Sequence, residues 1–207
     1  MNRSEIKSVA KQQIKGKIGI LFVISLLYSL ICFAASFISG FVPVLGAWAL
    51  FIFVSAPLSL SFCIIYLDVT KGVEPMVKDL FSGYSNFWGA FKVSFFTGLF
   101  VLLWSFLLII PGIIKGIAYS MSMYILAENE GMGALEAIAR SEEMMRGHKL
   151  DYFVLGLSFI GWWLLVALTF GIAGIWVFPY QQVTYANFYN KIKASSSPFT
   201  AEADKAE

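Results

Sequence analysis

Residues 18–67 read IGILFVISLLYSLICFAASFISGFVPVLGAWALFIFVSAPLSLSFCIIYL, fifty consecutive positions without a charged side chain. A helix needs about 20 apolar residues to cross a hydrocarbon core about 30 Å thick. The stretch therefore holds two crossings and a turn. Gly40, Pro43 and Gly46 supply the turn chemistry. The apolar run from Ile18 to Ile38 exceeds the roughly 7–15 residues of a signal-peptide core, and Ala34-Ala35-Ser36 lies inside it and not after it. It is read as a retained first span.

The pattern recurs along the chain. Uncharged runs of 22, 12 and 39 residues separate Lys92 from Lys115, Lys115 from Glu128, and Asp151 from Lys191. Only 14% of the 207 residues are charged and mean hydropathy is +0.75, against roughly 25% charged in soluble domains. Lipid is the implied solvent. The expectation is an all-α, polytopic transmembrane helical bundle of about six spans arranged as three hairpins. The spans fall at about 18–39, 47–67, 93–110, 112–127, 152–169 and 174–190, within a transmembrane domain covering 18–193. Pro111-Gly112 interrupts 93–127; as one helix that segment would measure ~52 Å at ~1.5 Å per residue. A turn is favoured there over a single kinked segment, and Gly171-Ile-Ala-Gly174 joins the last two spans.

Short amphipathic helices flank the spans. Residues 1–17 read as a basic amphipathic N-terminal helix, with Ser4 as N-cap and Ile6, Ala10 and Ile14 as its apolar stripe. Lys7, Lys11 and Lys15 run beside that stripe, placed to meet anionic headgroups from the membrane surface. A plain orientation signal is a compatible reading. Pro75 could open a short helix holding Met76, Val77, Leu80 and Phe81, and Tyr84, Phe87, Trp88 and Phe91 follow as an interfacial aromatic patch. A soluble helix is expected over 133–146, with i, i+4 pairs Glu136–Arg140 and Glu142–Arg146 and an apolar face of Ala134, Ile138 and Met145. Residues 194–207 are small and polar, as in a disordered cytoplasmic tail.

In the six-span arrangement, fourteen of the fifteen basic residues share one side and only Lys115 lies opposite. The positive-inside rule puts that side, with both termini, in the cytoplasm of a plasma-membrane, multi-pass protein. Each returning span also ends alike: Ile65-Tyr-Leu-Asp68, Tyr124-Ile-Leu-Ala-Glu128 and Phe188-Tyr-Asn-Lys191. Ancestral repetition or shared membrane-exit chemistry would each produce this.

Catalytic patterns are absent. No ionisable residue sits near a span centre, where ion-coupled transport and intramembrane catalysis need one. The single histidine, His148, has no partner motif, and Cys32 and Cys63 read as small apolar residues within spans. No catalytic residue, cofactor or metal ligand is expected, and a net charge of +2 gives no nucleic-acid surface. Three features remain as candidates. Gln181, Gln182, Thr184 and Asn187 put polar groups into the last span, as helix-packing hydrogen bonds or as a polar cavity lining. Gly112 and Gly116 form a GxxxG pair around Lys115, for close packing or for a phosphate or substrate contact. Arg146, His148 and Lys149 could meet lipid headgroups, and the 128–151 loop a protein partner; an orientation signal is the simpler reading.

Five stretches carry a family resemblance: Met1-Asn-Arg-Ser-Glu-Ile-Lys7, Ile109-Ile-Pro-Gly-Ile-Ile-Lys115, Tyr119-Ser-Met-Ser-Met-Tyr-Ile-Leu-Ala-Glu128, Arg140-Ser-Glu-Glu-Met-Met-Arg-Gly-His-Lys149 and Leu157-Ser-Phe-Ile-Gly-Trp162. In this order they resemble a bacterial membrane-protein family, domain of unknown function 975. The resemblance spans nearly the whole chain and implies a multi-span bacterial inner-membrane protein. It supplies no activity and no catalytic residue. The resulting expectation is a non-enzymatic structural, regulatory or accessory membrane component. The alternative is a carrier or permease subunit for a lipid-like or small amphiphilic solute.

Overall fold

The computed structural model describes residues 3–39, 44–129 and 131–203, and these residues contain helices and no strand. In order they are α1 (Arg3–Gln13), α2 (Ile18–Ser39), α3 (Val44–Thr70), a 3-10 segment (Val77–Asn86), α4 (Phe87–Leu107), α5 (Ile109–Tyr119), α6 (Ser122–Glu128), α7 (Ala134–Met144), α8 (Lys149–Leu157), α9 (Ile160–Leu168) and α10 (Gly174–Ala203). Five stretches of the described residues are long and apolar enough to cross a membrane: Ile18–Phe37, Phe53–Thr70, Val77–Phe106, Ile109–Glu128 and Lys149–Leu168. The turn at Gly40 and Pro43 lies outside the described residues, and Gly46 is inside α3. α10 runs on to Ala203, into the segment whose composition suggests disorder.

The returning helices α3, α6 and α10 form the centre. Phe62 meets Phe178 and Thr70 bonds Asn190; Tyr124 stacks on Tyr189 and Glu128 bonds Lys193. The contacts step the same way along each pair, so the three helices run parallel, and α3 and α6 end beside Asn190 and Lys193 of α10, which runs on beyond them. Between them Leu58, Ile65, Tyr66, Ile125, Val183 and Phe188 are buried.

Several elements differ from the sequence expectation. The second hairpin turns at Leu108, which is extended (φ −162°, ψ 141°), and not at Pro111-Gly112. Pro111 is tolerated in the first turn of α5 because that position's N–H has no intrahelical partner to lose. Gly112 serves packing instead: a Cβ there would lie 2.9 Å from the Ser105 Cα across the hairpin. The third hairpin turns where expected, through Phe170 and Gly171, both at positive φ. The glycine meets that geometry without strain, while Phe170 stands 98% exposed at the tip.

Two spans expected as continuous helices are broken. At Ser120–Met121, between α5 and α6, Ser141 Oγ of α7 donates to the Ala118 carbonyl (2.7 Å) and accepts from the Met121 N–H (3.2 Å). At Ser158–Phe159, between α8 and α9, Lys7 Nζ donates to the Ser158 carbonyl (3.3 Å) and lies 4.4 Å from the Phe159 ring centre. A break frees backbone groups from the i→i−4 ladder. In both cases a side chain from a neighbouring helix takes up a freed group.

These partners show where α1 and α7 go. The α1 stripe, Ile6, Ala10 and Ile14, is buried in the protein core and not laid on a membrane surface. Fully burying each isoleucine contributes about 1.5–3 kcal/mol. Gln13 at its end bonds Thr70 and Asn187, and Lys17 beyond it bonds the Gly72 and Val73 carbonyls. Helix α7 is likewise docked: Ala134, Ala137, Ile138 and Ser141 are buried. Glu136 pairs with Arg140 as its spacing predicts (3.3 Å). Glu142 does not take Arg146; it pairs with Lys115 of α5.

That ion pair corrects the charge map. Lys115 and the α7 segment cannot lie on opposite faces of a bilayer while their side chains touch. Docking α7 over the α5–α6 break sets Lys115 beside the α7 segment and not across a bilayer from it.

Candidate functional site at the lysine-rich end

Helices α3 and α6 end in one polar layer against the Asn190–Lys193 stretch of α10. Glu128, the last residue of α6, is only 14% exposed at its side chain and accepts from Lys193 Nζ (2.6 Å) and Tyr189 OH (2.7 Å). Lys71 stands 3.9 Å from Glu128 on one side and 3.9 Å from Asp68 on the other. Asp68, Lys71, Glu128, Asn129 and Lys193 line a cavity of about 280 Å³ whose apolar floor is Ile64, Leu67 and Ala127. Two ammonium groups and two carboxylates face one another there. Among the described residues no group of His, Cys, Asp and Glu is arranged to hold a metal ion.

A second cluster fastens α1 across the same end. Lys191 Nζ lies 2.7 Å from Glu5, and Asn187 bonds Gln13. The Lys191 ammonium, by hydrogen bond and then by charge, holds the Glu5 carboxyl below its ordinary value of 4.5. Burial of Lys7 against the α8–α9 break lowers its pKa.

A family profile described as a protein of unknown function (DUF975) matches residues 1–115 and 106–196. The chain belongs to DUF975. No curated protein and no solved structure matches it.

In this DUF975 chain, the residues singled out from sequence fall into two groups. Lys11, Lys15 and Arg146 are exposed, as headgroup contact requires. Lys7 is drawn inward to Ser158. His148 precedes α8 with its Nδ1 3.8 Å from Asp151, and Lys149 opens that helix, half-buried. In the last helix, Gln181 accepts from Trp163 Nε1 (3.0 Å) and donates to Tyr185 OH (3.1 Å), which joins α9 to α10. Thr184 is buried and bonds the Tyr180 carbonyl of its own helix, Asn187 holds α1, and Gln182 is half-buried. Lys115 pairs with Glu142 and stands 5.2 Å from the Trp104 ring centre. Among these polar side chains of α10, Gln181 thus engages α9, Asn187 engages α1, and Thr184 bonds within its own helix.

Sequence reasoning missed Glu5, Gln13, Asp68, Lys71, Glu128, Tyr189 and Lys193 as site residues. The signal was present in the three similar exit sequences. Their tyrosines, Tyr66, Tyr124 and Tyr189, are all buried in the core, and their polar ends meet in the charged layer. What the sequence did not convey is that the three exits are neighbours.

The Glu5 carboxylate gives a pH expectation. A carboxyl whose folded pKa lies below its unfolded value contributes stability above the unfolded pKa, lost as pH falls through the folded one. Acidification below pH 4.5 should therefore loosen α1 from α10. Hydrogen exchange of α1 amides should quicken there, and Glu5→Gln should show the faster exchange already at neutral pH, with a flatter pH response. Identical profiles for the two proteins would remove Glu5 from the contact.

Proposed function

We propose that this chain is a non-enzymatic, multi-pass protein of the bacterial plasma membrane, with both termini in the cytoplasm. It serves a structural, regulatory or accessory role through its bundle and its basic face. The supporting observation is the use made of charge. Glu128 ties α6 to α10 and to the residue after α3, Glu5 ties α1 to α10, and Glu142 ties α7 to α5. Paired in this way, these groups act as fasteners between helices. Lys11, Lys15 and Arg146 stay at the surface, where ammonium and guanidinium groups attract anionic headgroups.

Each lysine near an anionic surface contributes about 1 kcal/mol, so Lys11→Gln with Lys15→Gln should weaken retention of anionic lipid about thirtyfold at low ionic strength. Lipid analysis of the purified protein, at unchanged folded yield, reads this. The carrier reading draws on the polar residues of α10, and Gln182 is the one not committed to a bond described above. Saturable solute flux in proteoliposomes, lost on Gln182→Ala with folded yield intact, would replace the accessory role by a carrier.

A further inference from the structure

We propose that the α4–α5 hairpin is a wedge for a single leaflet: its apolar tip docks among the acyl chains adjoining the lysine-rich end and does not reach the far face. By composition both of its arms are apolar enough to cross. The tertiary contacts limit how deep they go. Residues 115–121 are held against α7 by the Lys115–Glu142 pair and by the two Ser141 hydrogen bonds. Helix α7 is itself tethered to the polar layer at both ends. It begins shortly after Glu128, which bonds Lys193, and it ends shortly before Tyr152, whose ring meets Tyr185 and Phe188, just before the Asn190–Lys193 stretch of α10.

The outer face of α7 gives an independent reason. Glu136, Arg140 and Glu143 are exposed along it and Arg146 just beyond it, and charged side chains at the centre of a bilayer cost about 2.5–3.5 kcal/mol each even on the mildest scales. The helix must lie at headgroup depth or in water, and Lys115 lies with it. From Lys115 to the turn at Leu108 is seven residues, ~10 Å of helix at ~1.5 Å per residue. A hydrocarbon core is about 30 Å thick.

The tip is suited to that depth. Leu102, Leu103, Phe106, Ile109, Ile110 and Ile113 are all exposed, Phe106 at 88%. Trp104 beside Lys115 forms the aromatic–basic pair common at the membrane interface. Gly112 against Ser105 keeps the two arms together. Burial of an apolar surface ~5–10 Å into the headgroup–acyl boundary is the mode of interfacial helices, whose binding responds to lipid packing and curvature. The wedge therefore gives this protein a surface that senses one leaflet, while the first and third hairpins supply the crossings.

The inference rests on the membrane reading above, and the test separates the two. In the full chain with Cys32→Ala and Cys63→Ala, single cysteines replace Lys11, Ile109 and Ile172. Lys11→Cys marks the near face, and Ile172→Cys in the α9–α10 turn marks the far one. An impermeant maleimide added from the far face should label position 172 and leave 109 unlabelled. A bimane on 109 should be quenched most by lipids labelled within ~10 Å of the near headgroups. Labelling of 109 from the far face, or strongest quenching at or beyond the bilayer centre, overturns the wedge. Ile110→Cys repeats the measurement if the 109 variant folds poorly. Extraction of the protein by alkaline carbonate would instead overturn the membrane reading itself.

Discussion

Gly83→Val is expected to destabilise the folded protein by about 2–5 kcal/mol, combining overpacking at about 1–3 kcal/mol with loss of a buried hydrogen bond. The 3-10 segment lies directly on α3 at this point. A Cβ on Gly83 would sit 2.7 Å from the Ser61 nitrogen and closer still to the Pro57 carbonyl oxygen. Both are backbone atoms of a helix, which cannot swing aside as a flexible side chain would. The Gly83 N–H also donates to Ser61 Oγ (2.8 Å), whose own hydroxyl donates to the Pro57 carbonyl (3.0 Å), and Ser61 is fully buried. Against a total stability of about 5–15 kcal/mol, the loss should appear as a collapse of monodisperse yield in mild detergent. Gly98→Ala is the control: nothing lies within 4 Å of its added Cβ, and helix propensity alone favours alanine there by about 1 kcal/mol. Equal yields for Gly83→Val and wild type would show that the 3-10 segment does not press on α3.

Ser141→Ala is the second large effect. The substitution barely changes volume, yet it strands the Ala118 carbonyl and the Met121 N–H at the α5–α6 break. Each buried group left unsatisfied costs about 1–3 kcal/mol. The expected result is undocking of α7, read as faster trypsin cleavage after Arg140 and Arg146. Glu142→Gln should do far less, because the Lys115–Glu142 pair is partly open to solvent, 22% and 32% exposed, and such pairs contribute about 0–1 kcal/mol. Should Glu142→Gln release α7 as fully as Ser141→Ala, the ion pair and not the capped break would be the fastening.

The two substitutions differ in how visible their sites are from sequence. The Gly112–Gly116 spacing announces close packing, and the structure puts Gly112 against Ser105. Nothing around Gly83 does so, since its partner Ser61 is 22 residues away on another helix. Ser141 stands on the apolar face of its helix, but its role depends on a break 20 residues earlier, in a segment whose hydropathy runs smoothly through it. The exit tyrosines lie between these cases. Their repetition is legible, and their convergence is not.

The order of charge and apolarity along the chain was enough to mark an all-helical protein with several helices apolar and long enough to cross a membrane. Hydrocarbon demands that every backbone group be satisfied within its own segment, so apolar length alone reports helices there. Only the tertiary structure decided that the second hairpin turns at Leu108, that Lys115 pairs with Glu142 of α7, and that α1 and α7 bury their stripes in protein and not in lipid. The physical reason is that lipid tails are as apolar as leucine. Hydropathy marks a surface that must leave water and is silent on which neighbour will cover it.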